Sequence, residues 1–281
     1  MDIVRDPREM QVRAQAWRRA GRRIGLVPTM GFLHEGHLSL VRLARARADV
    51  VVVSLFVNPL QFGPREDFGR YPRDFARDER LCREAGVDVL YHPEVAAMYA
   101  PDHSVFVDES KLGQGLCGAA RPGHFRGVTT VVTKLFNQVQ PDLAVFGEKD
   151  AQQLRIIRRL VRDLNIPVEI VPGPTLREAD GLAMSSRNSL LTPAARSAAP
   201  CLRRALDEVE RLYAAGERST ARLTATVRAF VEPAPGARID YIEVVDNETL
   251  EPVETITRPV LVALAVYFGP TRLIDNTVLR G

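Results

Sequence analysis

The first half of the chain alternates short apolar runs with stretches of helical periodicity. Residues 24–27 form an apolar run ending at Pro28, and residues 38–47 then place Leu40, Val41, Leu43 and Ala44 at helical spacing. Residues 50–57 are an apolar run rich in valine, broken only by Ser54, as expected of a strand covered on both faces. The pattern predicts helix over 75–85, strand over 87–91, helix over 128–139 and strand over 143–146. It then predicts helix over 151–164 and strand over 168–171. Repeated β-α-β units imply an α/β fold: a Rossmann-like, doubly wound parallel sheet that binds ligands at the carboxyl ends of its strands. The rhythm breaks at Pro172-Gly173-Pro174. Beyond it the spacing predicts one long helix over 193–215, a second over 220–230, and strands over 239–245 and 260–267. This tail reads as a second, smaller α+β domain, so the expected division is residues 1–175 and 176–281.

Composition narrows the class without naming a chemistry. Hydrophobic residues make up 46% and charged residues 26% of 281, ordinary for a globular protein with a full core. A net charge of +3 and a pI near 8.9 admit an anionic partner. Yet no window holds the run of like charges of a nucleic-acid arm, and Arg18, Arg19, Arg22 and Arg23 read as a solvated helix end. Cys82, Cys117 and Cys201 are scattered and odd in number, which fits a reducing cytosol better than disulfides or a zinc site. The charged N-terminus lacks a signal-peptide core, and no apolar run is long enough to span a bilayer. A cytoplasmic protein without membrane or nucleic-acid partners is therefore expected.

Four segments carry candidate chemistry. Pro28-Thr29-Met30-Gly31-Phe32-Leu33-His34-Glu35-Gly36-His37 lies between the first strand and the next helix, where a helix N-terminus faces anions. His34 and His37, three apart, point the same way there and suit phosphoryl oxygens; a metal pair and two plain surface histidines are the competing readings. Phe56-Val57-Asn58-Pro59-Leu60-Gln61-Phe62 offers the amides of Asn58 and Gln61 to the hydroxyls or carboxylate of a small substrate, against an ordinary Asn-Pro turn. In Phe146-Gly147-Glu148-Lys149-Asp150-Ala151-Gln152-Gln153, Lys149 is one of only three lysines and supplies a fixed charge past a strand end, while Asp150 suits a helix cap. Finally, Asp180-Gly181-Leu182-Ala183-Met184-Ser185-Ser186-Arg187-Asn188 offers two hydroxyls and an arginine to an anion, or else a helix cap. Gly113-Gln114-Gly115-Leu116-Cys117-Gly118 matches a dinucleotide fingerprint but is set aside. Arg121-Pro122-Gly123 follows too closely for the helix such a fingerprint needs.

In this order and spacing the four segments resemble the pantothenate synthetase (pantoate–β-alanine ligase) family, HIGH-motif nucleotidyltransferases related to class I aminoacyl-tRNA synthetases. The likeness runs from about Pro28 to Asn188, with support from Arg121-Pro122-Gly123-His124-Phe125. It implies ATP-dependent condensation of pantoate with β-alanine through a pantoyl adenylate, releasing pyrophosphate and then AMP. By matching position it implies that His34, His37 and Lys149 stabilise the phosphoryl transition state. Ser185, Ser186 and Arg187 would grip phosphates from a second domain that acts as a lid. Gln61, Gln153 and Met30 would hold pantoate. The ATP set would be Met30, Gly31, His37, Gly147, Glu148, Lys149, Asp150, Leu176, Met184, Ser185, Ser186 and Arg187. The resemblance also implies a homodimer and Mg²⁺ with ATP. Here the chain departs from the family pattern: in Tyr71-Pro72-Arg73-Asp74-Phe75-Ala76-Arg77-Asp78 an arginine stands where an acid is usual, leaving Asp78 as the candidate metal ligand. A plain adenylyltransferase would have no use for Gln61 and Gln153. An RNA-binding module would show salt-sensitive binding.

Overall fold

The computed structural model describes residues 1–64 and 66–280. In chain order the elements begin β1 (Asp2–Val4), α1 (Pro7–Arg19), β2 (Ile24–Thr29), α2 (Glu35–Arg45), β3 (Val50–Leu55), α3 (Phe75–Glu84), β4 (Val89–Tyr91), α4 (Val95–Met98) and α5 (Leu116–Ala120). They continue with α6 (His124–Val139), β5 (Leu143–Gly147), α7 (Ala151–Asp163), β6 (Glu169–Gly173), α8 (Pro193–Ala198), α9 (Cys201–Ala214), α10 (Thr220–Val231), β7 (Ala237–Asp246), β8 (Val260–Phe268) and β9 (Thr271–Leu279). Two compact units emerge. The first comprises Met1–Ser110, Arg121–Glu148 and Gln153–Pro174; the second comprises Lys111–Ala120, Lys149–Gln152 and Thr175–Gly281.

The first unit is built on six parallel strands in the order β1-β4-β3-β2-β5-β6. This is the doubly wound α/β arrangement expected. All six residues of β3 are buried, as a strand between two helical layers requires. Its core joins Val27, Val51, Val53, Leu143 and Val145 of the sheet to Leu40, Val41 and Ala44 of α2. Gly173 permits that packing at the end of β6: a Cβ there would sit 2.1 Å from Leu40 Cδ2. The periodicity missed β1 and α1. The strand is three residues long, and the helix buries only Met10 and Ala14 among charged neighbours, with Asp6 capping it by accepting from Glu9 N.

The second unit sets an antiparallel sheet, β7-β8-β9, against α9 and α10. Eight of the nine residues of β8 are buried, which makes it the centre of the core. The single helix expected over 193–215 is two helices. Pro200 has no N–H to continue α8, and instead it stands at the N-cap of α9. β9 escaped the pattern because Arg272, Asp275, Asn276 and Thr277 dilute its apolar alternation. A one-turn helix, α5, also forms inside the glycine-rich segment, contrary to expectation. The element before it is α4, not a strand leading into the turn, so the dinucleotide reading stays excluded. Gly118 allows this turn, since a Cβ there would lie 1.7 Å from Gly113 O.

Candidate active site

In the first unit the loop leaving β2 is bent by two successive positive φ angles, Gly31 at 87° and Phe32 at 50°. The bend turns the amides of Phe32 and Leu33 onto one carboxylate: Asp78 accepts from Phe32 N and from Leu33 N, each at 2.7 Å. Thr29 Oγ1 donates to Ser54 O at 2.8 Å and accepts from Gly31 N at 3.2 Å, tying the loop to β3. Asp78 is 1% exposed. Burial pushes its carboxyl above the ordinary range, outweighing the pull of the two amides. Both oxygens of Asp78, the candidate metal ligand, hold the loop, and the group is shut away from solvent. Among the described residues no group of three or more His, Cys, Asp or Glu could hold a metal ion.

The loop delivers His34 to the N-cap of α2 and His37 to its first turn. The two rings lie tilted against each other, centroids 4.0 Å apart at 34°, and His34 N donates to His37 Nδ1 at 3.3 Å. His37 Nδ1 is therefore an acceptor, which leaves Nε2 as the ring's donor. The two imidazoles lie together at the start of α2, the end of a helix that favours anions.

Beside Met30 lies a chain of amides whose orientation is fixed from one end. Leu60 N can only donate, and it donates to Asn58 Oδ1 at 3.3 Å, as does the Tyr99 hydroxyl at 2.8 Å. Asn58 Nδ2 must then be the donor to Gln61 Oε1 at 3.1 Å and to Gly127 O at 3.0 Å. Gln61 therefore turns its Nε2 toward Met30, 3.2 Å from the sulfur. Met30 and Gln61 thus come together, while the polar atoms of Asn58, at 1% exposed, are all spent on protein, and it orients Gln61. Gly147, Glu148 and Gln153 also belong to this unit. Glu148 N donates to Gly173 O at 2.8 Å, and Gln153 is partly buried at the third position of α7.

In the second unit, residues 176–184 form a small hairpin closed by Met184 N to Leu176 O at 2.9 Å and Glu178 N to Leu182 O at 2.8 Å. Gly181, at φ 89°, makes its tip. Ion pairs hold it. Arg177 meets Asp275 of β9 with two bonds of 2.7 and 2.9 Å, and Arg196 of α8 reaches both Glu178 and Asp180. The Lys149 ammonium donates to Met184 O at 2.9 Å, and Asn276 Nδ2 holds Lys149 O at 2.9 Å. Burial pushes Lys149 below the ordinary lysine range; Asp150 and Asp275 oppose that shift, and Arg187 and Arg177 add to it. Ser185 Oγ accepts from Arg187 N at 3.3 Å, and Ser186 is buried. Lys149, Met184 and the serine–arginine segment are thus assembled in one unit, with Asp150 and Leu176 belonging to it too. Arg177, Asp275 and Asn276 had no sequence signal, because the residues that meet are 98 or more positions apart.

Comparison with known proteins gives the family. The family model described as pantoate-β-alanine ligase matches residues 2–278. Pantothenate synthetase from Thermotoga neapolitana is 56% identical over 279 residues, spanning 99% of this chain and 100% of that one. The solved pantothenate synthetase from Thermus thermophilus superposes with a TM-score of 0.93 at 47% identity, covering 99% of each chain. The pantoate-β-alanine ligase from Francisella tularensis, complexed with β-γ ATP and β-alanine, superposes at 0.81 with 33% identity, covering 99% of this chain and 97% of that one.

Proposed function

The chain belongs to the pantoate–β-alanine ligase family, and from that membership we propose how its residues divide the work. It joins pantoate to β-alanine in an amide bond at the expense of ATP. In our reading the pantoate carboxylate attacks the α-phosphorus of ATP, forming pantoyl adenylate and expelling pyrophosphate. The β-alanine amine then attacks the adenylate carbonyl, which releases AMP and pantothenate.

His34 and His37 present N–H donors to phosphoryl oxygens as charge builds there, and Lys149 and Arg187 supply fixed positive charge for the same purpose. Ser185 and Ser186 add hydroxyls to the phosphate grip. Gly31, Gly147, Glu148, Asp150, Leu176 and Met184 line the nucleotide. Gln61 donates through Nε2 to pantoate, Met30 packs against it, and Gln153 supplies a second amide. No covalent nucleophile enters: all three cysteines are buried, and burial pushes Cys82 to about 12 and Cys201 to about 11. The donor set does not fit a protein-held Mg²⁺ site, so Mg²⁺ arrives on the ATP phosphates as part of the substrate. A cytoplasmic homodimer without nucleic-acid or membrane partners completes the proposal. No helix among the described residues is long and apolar enough to cross a membrane.

The observation that carries the reading is the fixed orientation of Gln61, which offers hydrogen-bond donors, not a charge, beside Met30. The test is exchange of labelled pyrophosphate into ATP with pantoate present and β-alanine absent. Exchange is expected. Its absence, with ADP as product, would indicate an acyl-phosphate route instead. Gln61→Ala should raise the KM for pantoate roughly ten- to a hundredfold and leave that for ATP nearly unchanged.

A further inference from the structure

Gln61 is held at its backbone as well as at its amide. Its carbonyl oxygen has two lone pairs, and the chain fills both: Arg121 Nη2 donates at 3.1 Å and His124 Nδ1 lies 2.9 Å away. His124 Nε2 faces Arg121 Nη1 at 3.0 Å. An arginine nitrogen can only donate, so Nε2 must be the bare nitrogen and Nδ1 must carry the proton. The ring is thus fixed in one tautomer by its two neighbours. Arg121 is fixed in turn by Glu66, which takes Nε at 2.8 Å and Nη2 at 2.6 Å. Below the same turn, Gly127 comes so close that a Cβ would stand 2.3 Å from Leu60 O, and Gly127 O accepts from Asn58 Nδ2.

The start of α6 and the residues just before it therefore grip the short 3-10 turn Pro59–Gln61 from one side. Arg121 and His124 take the Gln61 carbonyl, Gly127 takes Asn58, and Asn58 takes the Gln61 amide oxygen. A rotation of the Gln61 peptide would break two bonds to arginine and histidine, and a turn of its side chain would set two donors against each other at Asn58.

We infer that His124 and Arg121, backed by Glu66, are positioning residues for pantoate selection: their grip on the Gln61 carbonyl aims the Gln61 Nε2 donors at the substrate hydroxyls. This rests on the assignment of Gln61 to pantoate. Neither residue needs to touch substrate for the effect. A side chain aimed by its neighbours loses less freedom on binding, and a small misplacement weakens a directional hydrogen bond sharply.

The test is a kinetic series on the full chain, with KM measured separately for pantoate and ATP. His124→Ala should raise the pantoate KM roughly tenfold, about the weight of one hydrogen bond to a buried group, with the ATP KM unmoved. His124→Asn keeps a donor near the Nδ1 position and should recover most of the loss. His124→Gln carries its donor to the Nε2 position and should not. In a Gln61→Ala background, His124→Ala should add little, because the side chain it aims is gone. If His124→Ala is insoluble, Glu66→Gln gives the same reading, with a pantoate-only rise of about two- to fivefold from a partly exposed ion pair. Equal rises for both substrates, equal values for the Asn and Gln variants, full additivity with Gln61→Ala, or an unchanged Glu66→Gln protein would overturn the inference. A Gln61→Ala protein with normal pantoate KM overturns the pantoate assignment, and the purpose of the grip with it. A Gln61→Ala effect without any His124→Ala effect overturns the grip alone.

Discussion

The neighbourhood of Gln61 and that of Lys149 are held in place by different forces. Around Gln61 the contacts that fix direction are mostly neutral: amide to amide, amide to carbonyl, hydroxyl to amide. Glycine closes the packing, and an ion pair, Arg121–Glu66, stands behind the backbone carbonyl. Lys149 itself meets the Met184 carbonyl and the Asn276 amide, but the hairpin that carries Met184 is held by charged pairs, Arg177 on Asp275 and Arg196 on Glu178 and Asp180. The difference matches the chemistry proposed for each. Neutral donors of fixed direction discriminate hydroxyls by geometry, since an unmatched partner leaves a buried polar group unpaired. A cation bonded to a hairpin that ion pairs hold stays in place for a phosphate that becomes more negative during reaction.

The largest effect should come from the charged region. Lys149→Ala is expected to slow pyrophosphate exchange about a hundred- to a thousandfold, the usual cost of one electrostatic contact to a transition state. Its thermal midpoint should stay near that of the parent, because burial of the ammonium already works against folding. The sign follows from the same shift. A lysine held below its ordinary 10.5 loses its proton earlier as pH rises, so exchange should fall on the alkaline side before pH 10.5. An exchange rate flat to that pH would remove Lys149 from this role.

Next comes the hairpin. Arg177→Ala leaves Asp275, 2% exposed, without its bidentate partner. Breaking such a pair should cost about 3 kcal/mol in urea unfolding, the low end because Arg177 itself reaches solvent. A loss below about 1 kcal/mol would mean that the pair behaves like a surface ion pair.

In the neutral region, Gly127→Ala should cost about 1–3 kcal/mol and raise the pantoate KM, because the new methyl meets backbone that cannot rotate away. A stability loss with unchanged pantoate KM would show that the turn tolerates displacement, and would blunt the contrast drawn above.

The smallest effect concerns Glu66. Burial alone would raise its carboxyl, but the hydrogen bond and charge of Arg121 outweigh this and hold it below the ordinary 4.5. A carboxylate lowered on folding contributes stability above its unfolded value and loses it as pH falls through the folded one. The parent should therefore lose a few tenths of a kcal/mol more than Glu66→Gln as pH drops below about 4.5, a partly exposed pair being worth little. Parallel acid denaturation of the two proteins would break the link between Glu66 and the grip on Gln61.

The sequence by itself determined the α/β class, because apolar runs alternating with helical periodicity leave few other architectures. It also determined where the candidate chemistry lies, because His34, Gln61 and Lys149 fall at the ends of strands or just past them, where a parallel sheet presents ligands. It placed Met30 with Gln61 and Lys149 with the serine–arginine segment only through resemblance. Tertiary structure alone decided the rest. A charge near a motif reads the same whether it faces a ligand or a backbone amide, and only the structure shows that Asp78 takes two N–H groups. Asn58 reads equally as a substrate contact or as part of an Asn-Pro turn, and only the structure shows its four partners within the protein. Pro200 divided a helix that periodicity had joined, and the polar residues hid β9 together with Asp275 and Asn276. Local patterns record which face of an element is buried. They carry no record of which polar atom, a hundred residues away, has already claimed a side chain.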